Sequence, residues 1–169
     1  TRDTLIQQGI ECPEIYGDPA WFLPKIYMPK DITKKHKLGI IRHFTHKEVP
    51  LNLSNGVVEI DILRVGDSEI ENFIDEMLSC EAIISSSLHG VIIANAYGIP
   101  AKLACFSTSE KQIHGDGMKF TDYFMSIGLS DVEPLDLSNI KNITPELSRL
   151  CVDNPKHPIN LKALLSAAP

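Results

Sequence analysis

Ala82-Ile83-Ile84-Ser85-Ser86-Ser87-Leu88-His89-Gly90, continued by Val91-Ile92-Ile93-Ala94-Asn95-Ala96-Tyr97 and closed by Gly98-Ile99-Pro100, decides how this chain folds. An apolar run meets three serines, then resumes as a longer apolar run that Gly98 and Pro100 terminate. The succession predicts a short buried strand over 82–85, a polar turn, and a buried helix over 89–97. A further strand is expected over 101–106. Upstream, Ile70, Phe73, Ile74, Met77 and Leu78 recur at helical spacing within 68–80, and the acidic first turn of that helix suits its dipole.

Further out the same alternation holds. Residues 37–44 have a continuous apolar centre and 57–63 are β-branched, so both read as strands. Pro50, Asn52, Ser54, Asn55 and Gly56 break the chain between them, with room for a short helix over 47–53. Downstream, the polar stretch 107–117 with Gly115 and Gly117 reads as a mobile loop, and helical spacing resumes over 119–127. Residues 132–137 form another candidate strand. The stretches 145–152 and 157–168 read as closing helices, the first capped by Thr144. Strands and helices alternating at this pitch predict an α/β fold, a Rossmann-like open and mainly parallel sheet with helices on both faces. A single domain over 1–169 is expected: an irregular, Pro-rich lead-in over 1–35, a sheet core over 36–137 and closing helices over 138–169.

Composition narrows the functional classes. With 169 residues, 43% hydrophobic and 22% charged, the chain suits one soluble globular domain. Its longest apolar run, near 91–97, is far below the roughly 20 residues of a membrane span. Sixteen Lys and Arg against 22 Asp and Glu leave a net charge of −6, which disfavours nucleic acid and anionic lipid as partners. An anionic small molecule therefore needs a local cluster of donors. Cys12, Cys80, Cys105 and Cys151 show no metal-type spacing and read as reduced thiols, consistent with a cytoplasmic protein. The opening Thr1-Arg2-Asp3 lacks Met and any export signal, so a fragment of a longer cytoplasmic chain is expected.

Chemistry concentrates at the central turn. Ligands of open α/β sheets bind outside the carboxyl ends of the strands, where a helix N-terminus offers free N–H donors. Ser85, Ser86 and Ser87 carry hydroxyl donors there, His89 an imidazole, and Gly90 leaves room for close approach. Serines before a helix also serve as plain caps, and His89 equally well serves a neighbouring carbonyl. A polar run this dense between apolar flanks is costly to bury unless something pairs with it, which favours an anionic guest, phosphate or carboxylate.

The stretch IISSSLHGVIIANAYGIP, with KFTDYFMSIG at 119–128, GDPAWFLP at 17–24 and LGIIRHF at 38–44, resembles the polysaccharide pyruvyl transferases over roughly residues 15–130. That resemblance implies the C-terminal half of a two-domain GT-B-like enzyme, with an N-terminal half missing from this chain. It implies transfer of pyruvate from phosphoenolpyruvate to two hydroxyls of a saccharide, lipid-linked or nucleotide-linked, with a ketal formed and phosphate released. Such an enzyme serves cell-surface polysaccharide assembly at the inner face of the membrane with no cofactor, and no His, Asp or Glu set in this sequence has metal-type spacing, which leaves open only an isolated divalent ion bridging the phosphate. His89 is the candidate general acid or phosphate contact, and the sequence does not separate the two roles. Some members carry Arg where this chain has Ser87, so the anion here depends on Arg42, Lys119 or the other half.

Arg42 and His43 end the first clear strand at the same carboxyl edge, and Lys119 opens the helix after the loop. Asp122 either orients a neighbouring side chain or caps the helix, and Tyr123 reads as packing. Asp18 belongs to a turn facing the interdomain cleft. Glu110, Lys111 and His114 lie on the loop, either as lid residues or as ordinary surface. His36, His46 and His157 have no supporting context. Two alternatives stand beside the transferase: a GT-B glycosyltransferase domain binding a nucleotide sugar, with Glu81 and Glu110 as weak ribose ligands, and a non-catalytic remnant of the fold.

Overall fold

A computed structural model describes residues 1–106, 117–152 and 154–167. In chain order its elements are α1 (Arg2–Gln7), a 3-10 helix Pro19–Phe22, α2 (Leu23–Ile26), β1 (Leu38–Ile41), a 3-10 helix Phe44–His46, β2 (Asn52–Leu53), β3 (Val57–Glu59) and α3 (Asp67–Leu78). There follow β4 (Ile83–Ser85), α4 (Leu88–Ala96), β5 (Ala101–Cys105), α5 (Met118–Ser126), β6 (Leu135–Asp136), β7 (Asn142–Ile143), a 3-10 helix Pro145–Leu150 and α6 (Leu161–Ser166).

Five strands pair in the order β3-β1-β4-β5-β6, every neighbour parallel. Gly39 lies beside Ile83 and Ile41 beside Ser85, while Ile83 and Ser85 in turn flank Ala101 and Leu103. All four residues of β1 and all three of β4 are buried, which explains why these strands read as continuous apolar runs rather than as alternating ones. Successive side chains enter opposite layers. Ile41, Ile83 and Leu103 join Phe73, Ile74 and Met77 of α3, Val91 and Ile92 of α4, and Phe120 and Phe124 of α5. Leu38, Ile40, Ile84 and Ala104 join Phe106, Leu137, Ile143 and Cys151 on the other side. Helical segments cover both faces unequally: the three long helices pack on one, and the 3-10 helix Pro145–Leu150 with the parallel β2–β7 pair packs on the other.

This is the open parallel α/β sheet expected from the alternation. Four local expectations change. The lead-in is partly helical, with α1, the 3-10 helix Pro19–Phe22 and α2, and Asp18 caps the second of these by accepting from Ala20 N–H at 2.9 Å. Residues 47–53 form no helix, because the carbonyls of His46 and Val49 are drawn to the Arg42 guanidinium and β2 pairs with β7. The first closing helix is 3-10 in geometry. The second begins only at Leu161: Pro155 and Pro158 deny earlier helix bonds, and the Asn160 side chain caps the start by accepting from Ala163 N–H at 3.0 Å. The expected loop over 107–116, with Glu110, Lys111 and His114, lies outside the described residues.

Candidate functional site

The chain leaves β1 toward β3 on one side of the sheet and leaves β4 toward β5 on the other, so the strand order switches direction between β1 and β4. The carboxyl ends of those two strands define the ligand-binding edge of a doubly wound sheet. Arg42 and His43 follow β1, and Ser86 to His89 follow β4. Two hydrogen bonds tie the tips together. Ser86 N–H donates to Ile41 C=O at 3.0 Å, and His43 N–H donates to Ser86 Oγ at 2.9 Å.

The three serines, alike in sequence, have different jobs. Ser85, fully buried, donates its hydroxyl to Ser87 C=O at 2.8 Å and accepts from Ser87 N–H at 3.0 Å, closing the turn on itself. Ser86, 1% exposed, bridges the strand tips. Ser87 is the N-cap residue of α4 in extended conformation, yet its side chain makes no capping bond although the residue is only 6% exposed. Among the described residues the N–H groups of Leu88, His89 and Gly90 find no acceptor, as the first turn of a helix requires unless a cap or ligand intervenes. An uncapped helix start of nine residues, at the switch point of the sheet and beside an unpaired hydroxyl, offers a set of donors to an anion. Gly90 serves packing: a Cβ there would lie 2.3 Å from Ser85 Oγ and 3.1 Å from Ile41 Cγ2, so only glycine lets α4 sit this close to β1 and β4.

Around this start stand the ionisable groups. His89 projects into solvent, 66% exposed, with Nε2 4.0 Å from Asp18 Oδ2. The His43 ring packs against Phe44, centroids 4.4 Å apart, and burial together with the nearby Lys119 charge holds it below the ordinary imidazole value. Lys119 itself is exposed, its ammonium 5.1 Å above the Phe120 ring. His43, His89 and Lys119 thus surround one edge. Arg42 does not join them as a free cation. Its guanidinium bonds Glu59 Oε1 at 2.7 Å, His46 C=O at 3.0 Å and Val49 C=O, stapling the loop after β1.

Beneath the edge Asn95 Nδ2 donates to Tyr123 Oη at 3.0 Å, and burial pushes the Tyr123 hydroxyl up to about 12. The Trp21 indole approaches the same oxygen but falls short of a hydrogen bond. Trp21 Nε1 and Asn95 Oδ1 are buried without a partner among the described residues. Tyr123 is therefore a packed, neutral residue, as its aromatic context predicted, and it locks α5 to α4. Asp122 is exposed on α5. Asp18 and Thr45 are the residues at this edge that sequence reasoning did not place in the site. Asp18 carried a signal in the Gly17-Asp18-Pro19 turn, whereas Thr45 carried none. No three His, Cys, Asp or Glu side chains among the described residues converge as a metal site would require.

A doubly wound parallel sheet with an uncapped helix start at its switch point defines an open α/β domain of the Rossmann-like class. A sequence model of the polysaccharide pyruvyl transferase family matches residues 1–101, and the chain belongs to that family. The match contains the lead-in turn, β1, the serine turn and α4, and stops before the 119–128 segment. The chain is also 30% identical over 119 residues to an uncharacterized protein of Acanthamoeba polyphaga mimivirus, an alignment covering 67% of this chain and 40% of that relative. It thus spans about two fifths of the relative's length. No solved structure matches. No helix among the described residues is long and apolar enough to cross a membrane.

Proposed function

We propose that the edge between β1 and β4 is the phosphoenolpyruvate site of a pyruvyl transferase, and that the domain supplies the donor half of a two-domain, GT-B-like enzyme acting on a saccharide. The uncapped start of α4, with Ser87 Oγ unpaired and His89 projecting beside it, carries this reading. Phosphoenolpyruvate brings phosphate and carboxylate together, and the first-turn N–H groups, Ser87, Lys119 and His43 supply donors of matching sign. Ser85, Ser86, Gly90 and Arg42 shape and hold the edge.

The reaction sets three tasks. A proton must reach the methylene carbon, the cation developing at the neighbouring carbon must be met by one saccharide hydroxyl, and a second hydroxyl must displace phosphate to close the ketal. The proton lost by the first hydroxyl balances the one gained by the methylene, and the proton of the second leaves with phosphate. His89, solvent-reaching and next to the anion donors, is assigned the acid step, with Asp18 beside it as counter-charge. The acceptor is assigned chiefly to the other half of the enzyme, at the cytoplasmic face where phosphoenolpyruvate is available.

Equilibrium binding tests the reading, with phosphoenolpyruvate as ligand and UDP and a UDP-hexose as controls. Saturable binding of phosphoenolpyruvate, weakened in His89→Ala, is the expected result. Preference for UDP would instead assign the edge to a nucleotide sugar, and binding indifferent to His89→Ala would remove that residue from the site.

A further inference from the structure

The His43 ring already has one nitrogen engaged. Thr45 N–H donates to His43 Nδ1 at 3.4 Å, and Thr45 Oγ1 lies 2.8 Å from the same nitrogen. A hydroxyl is able to donate or accept, but a backbone N–H only donates, so the arrangement that satisfies both contacts makes Nδ1 the acceptor and leaves the proton on Nε2. The opposite tautomer would set Nδ1–H against Thr45 N–H. The backbone is pinned as well, since His43 N–H is held by Ser86 Oγ at 2.9 Å. Among the described residues the charged and titratable groups facing the ring are Lys119 and His46, whose ring centroid lies 5.7 Å away, while Arg42 is committed to Glu59. None of these is an acid that would recruit a second proton to the ring.

We propose that Thr45 is a positioning residue that fixes His43 as the Nε2–H tautomer, so that His43 presents one permanent proton donor to an anionic oxygen of the bound substrate. The inference rests on the donor-site reading above and deepens it. A neutral imidazole donor gives a directed hydrogen bond without adding a second positive charge beside Lys119. It also separates the two imidazoles at the edge: His43 binds, and His89 is left to move a proton. Thr45 is exposed on the 3-10 turn, so its substitution leaves the core untouched.

The test is nitrogen NMR of the imidazole rings in the labelled chain at mildly alkaline pH, on the wild type, Thr45→Val and Thr45→Ser, followed by titration with phosphoenolpyruvate. The wild type is expected to show His43 Nδ1 as the unprotonated and Nε2 as the protonated nitrogen. Thr45→Val keeps only the long backbone contact at 3.4 Å and loses the shorter hydroxyl contact at 2.8 Å that holds Nδ1 most strongly, so the ring shifts toward a mixture, and Thr45→Ser restores it. Phosphoenolpyruvate affinity falls about two- to tenfold in Thr45→Val, the size of one neutral hydrogen bond, and recovers in Thr45→Ser. A proton on Nδ1 in the wild type, or a tautomer unmoved by Thr45→Val, overturns the role of Thr45. Loss of phosphoenolpyruvate binding by the wild type with the Nε2–H tautomer intact overturns instead the donor-site reading and the use assigned to that proton.

Discussion

The hydroxyl of Ser86 accepts the backbone N–H of His43 at 2.9 Å across 43 residues of sequence, and this bond joins the tips of the two strands between which the sheet reverses its winding. Ser86→Ala removes the acceptor and leaves a half-buried N–H unpaired. The expected destabilisation is about 1–3 kcal/mol, read as a lower denaturant midpoint at unchanged slope. A midpoint equal to wild type would show that water replaces the hydroxyl without cost.

Gly90→Ala sets two effects against each other. Alanine favours a helix over glycine by roughly 0.5–1 kcal/mol, whereas a Cβ 2.3 Å from Ser85 Oγ and 3.0 Å from Ser85 Cβ forces α4 away from the sheet at about 1–3 kcal/mol. Overpacking wins. A thermal melt is expected to show net destabilisation, and an unchanged or raised Tm would mean that the turn relaxes around the methyl group.

His89→Gln separates function from stability. With the ring 66% exposed and no short hydrogen bond made, its loss is expected to change stability by less than about 0.5 kcal/mol. If the proposed function holds, phosphate release from phosphoenolpyruvate by a full-length chain carrying this domain falls at least about a hundredfold, the lower end of a general acid's contribution. Turnover within a factor of two of wild type would exclude His89 from the acid step.

Stability is expected to fall on mild acidification. Burial holds both His43 and His46 below their ordinary value of 6.5, with Lys119 adding to the effect on the first and His43 and Arg42 on the second. Between those lowered values and 6.5 the unfolded chain binds more protons than the folded one, so their contribution is full above 6.5 and is lost as pH drops through the folded values. Urea midpoints measured from pH 7.5 down to 5 should decline less steeply in the doubly substituted His43→Gln, His46→Gln chain. Parallel declines would place the acid sensitivity elsewhere.

Much of the molecule was legible from local pattern. β4 and α4 were readable as nearly unbroken apolar runs of strand and helix length, α3 because its apolar residues recur at helical spacing, and Gly98 and Pro100 separate α4 from β5. The turn at Ser85 to His89 stood out because polar density between apolar runs is costly to bury without partners, and the structure supplies backbone partners for Ser85 and Ser86. The stretch after β1 was not, since nothing in residues 47–53 announces that Arg42 will gather two carbonyls there or that β2 will pair with β7, some 90 positions away.

Sequence alone determined the alternation of the main strands and helices and the parallel sheet they form, because periodicity and breakers act over a few residues and right-handed crossovers leave few ways to connect them. Tertiary structure decided the rest. It made Ser85 a closure, Ser86 a bridge and Ser87 an unpaired donor, consigned Arg42 to Glu59, and brought Asp18 within 4.0 Å of His89 from 71 positions upstream. Side-chain hydroxyls and charges take whichever partner the packed strands bring within about 3 Å, and that partner is chosen by distance in space, which the order of residues does not encode locally.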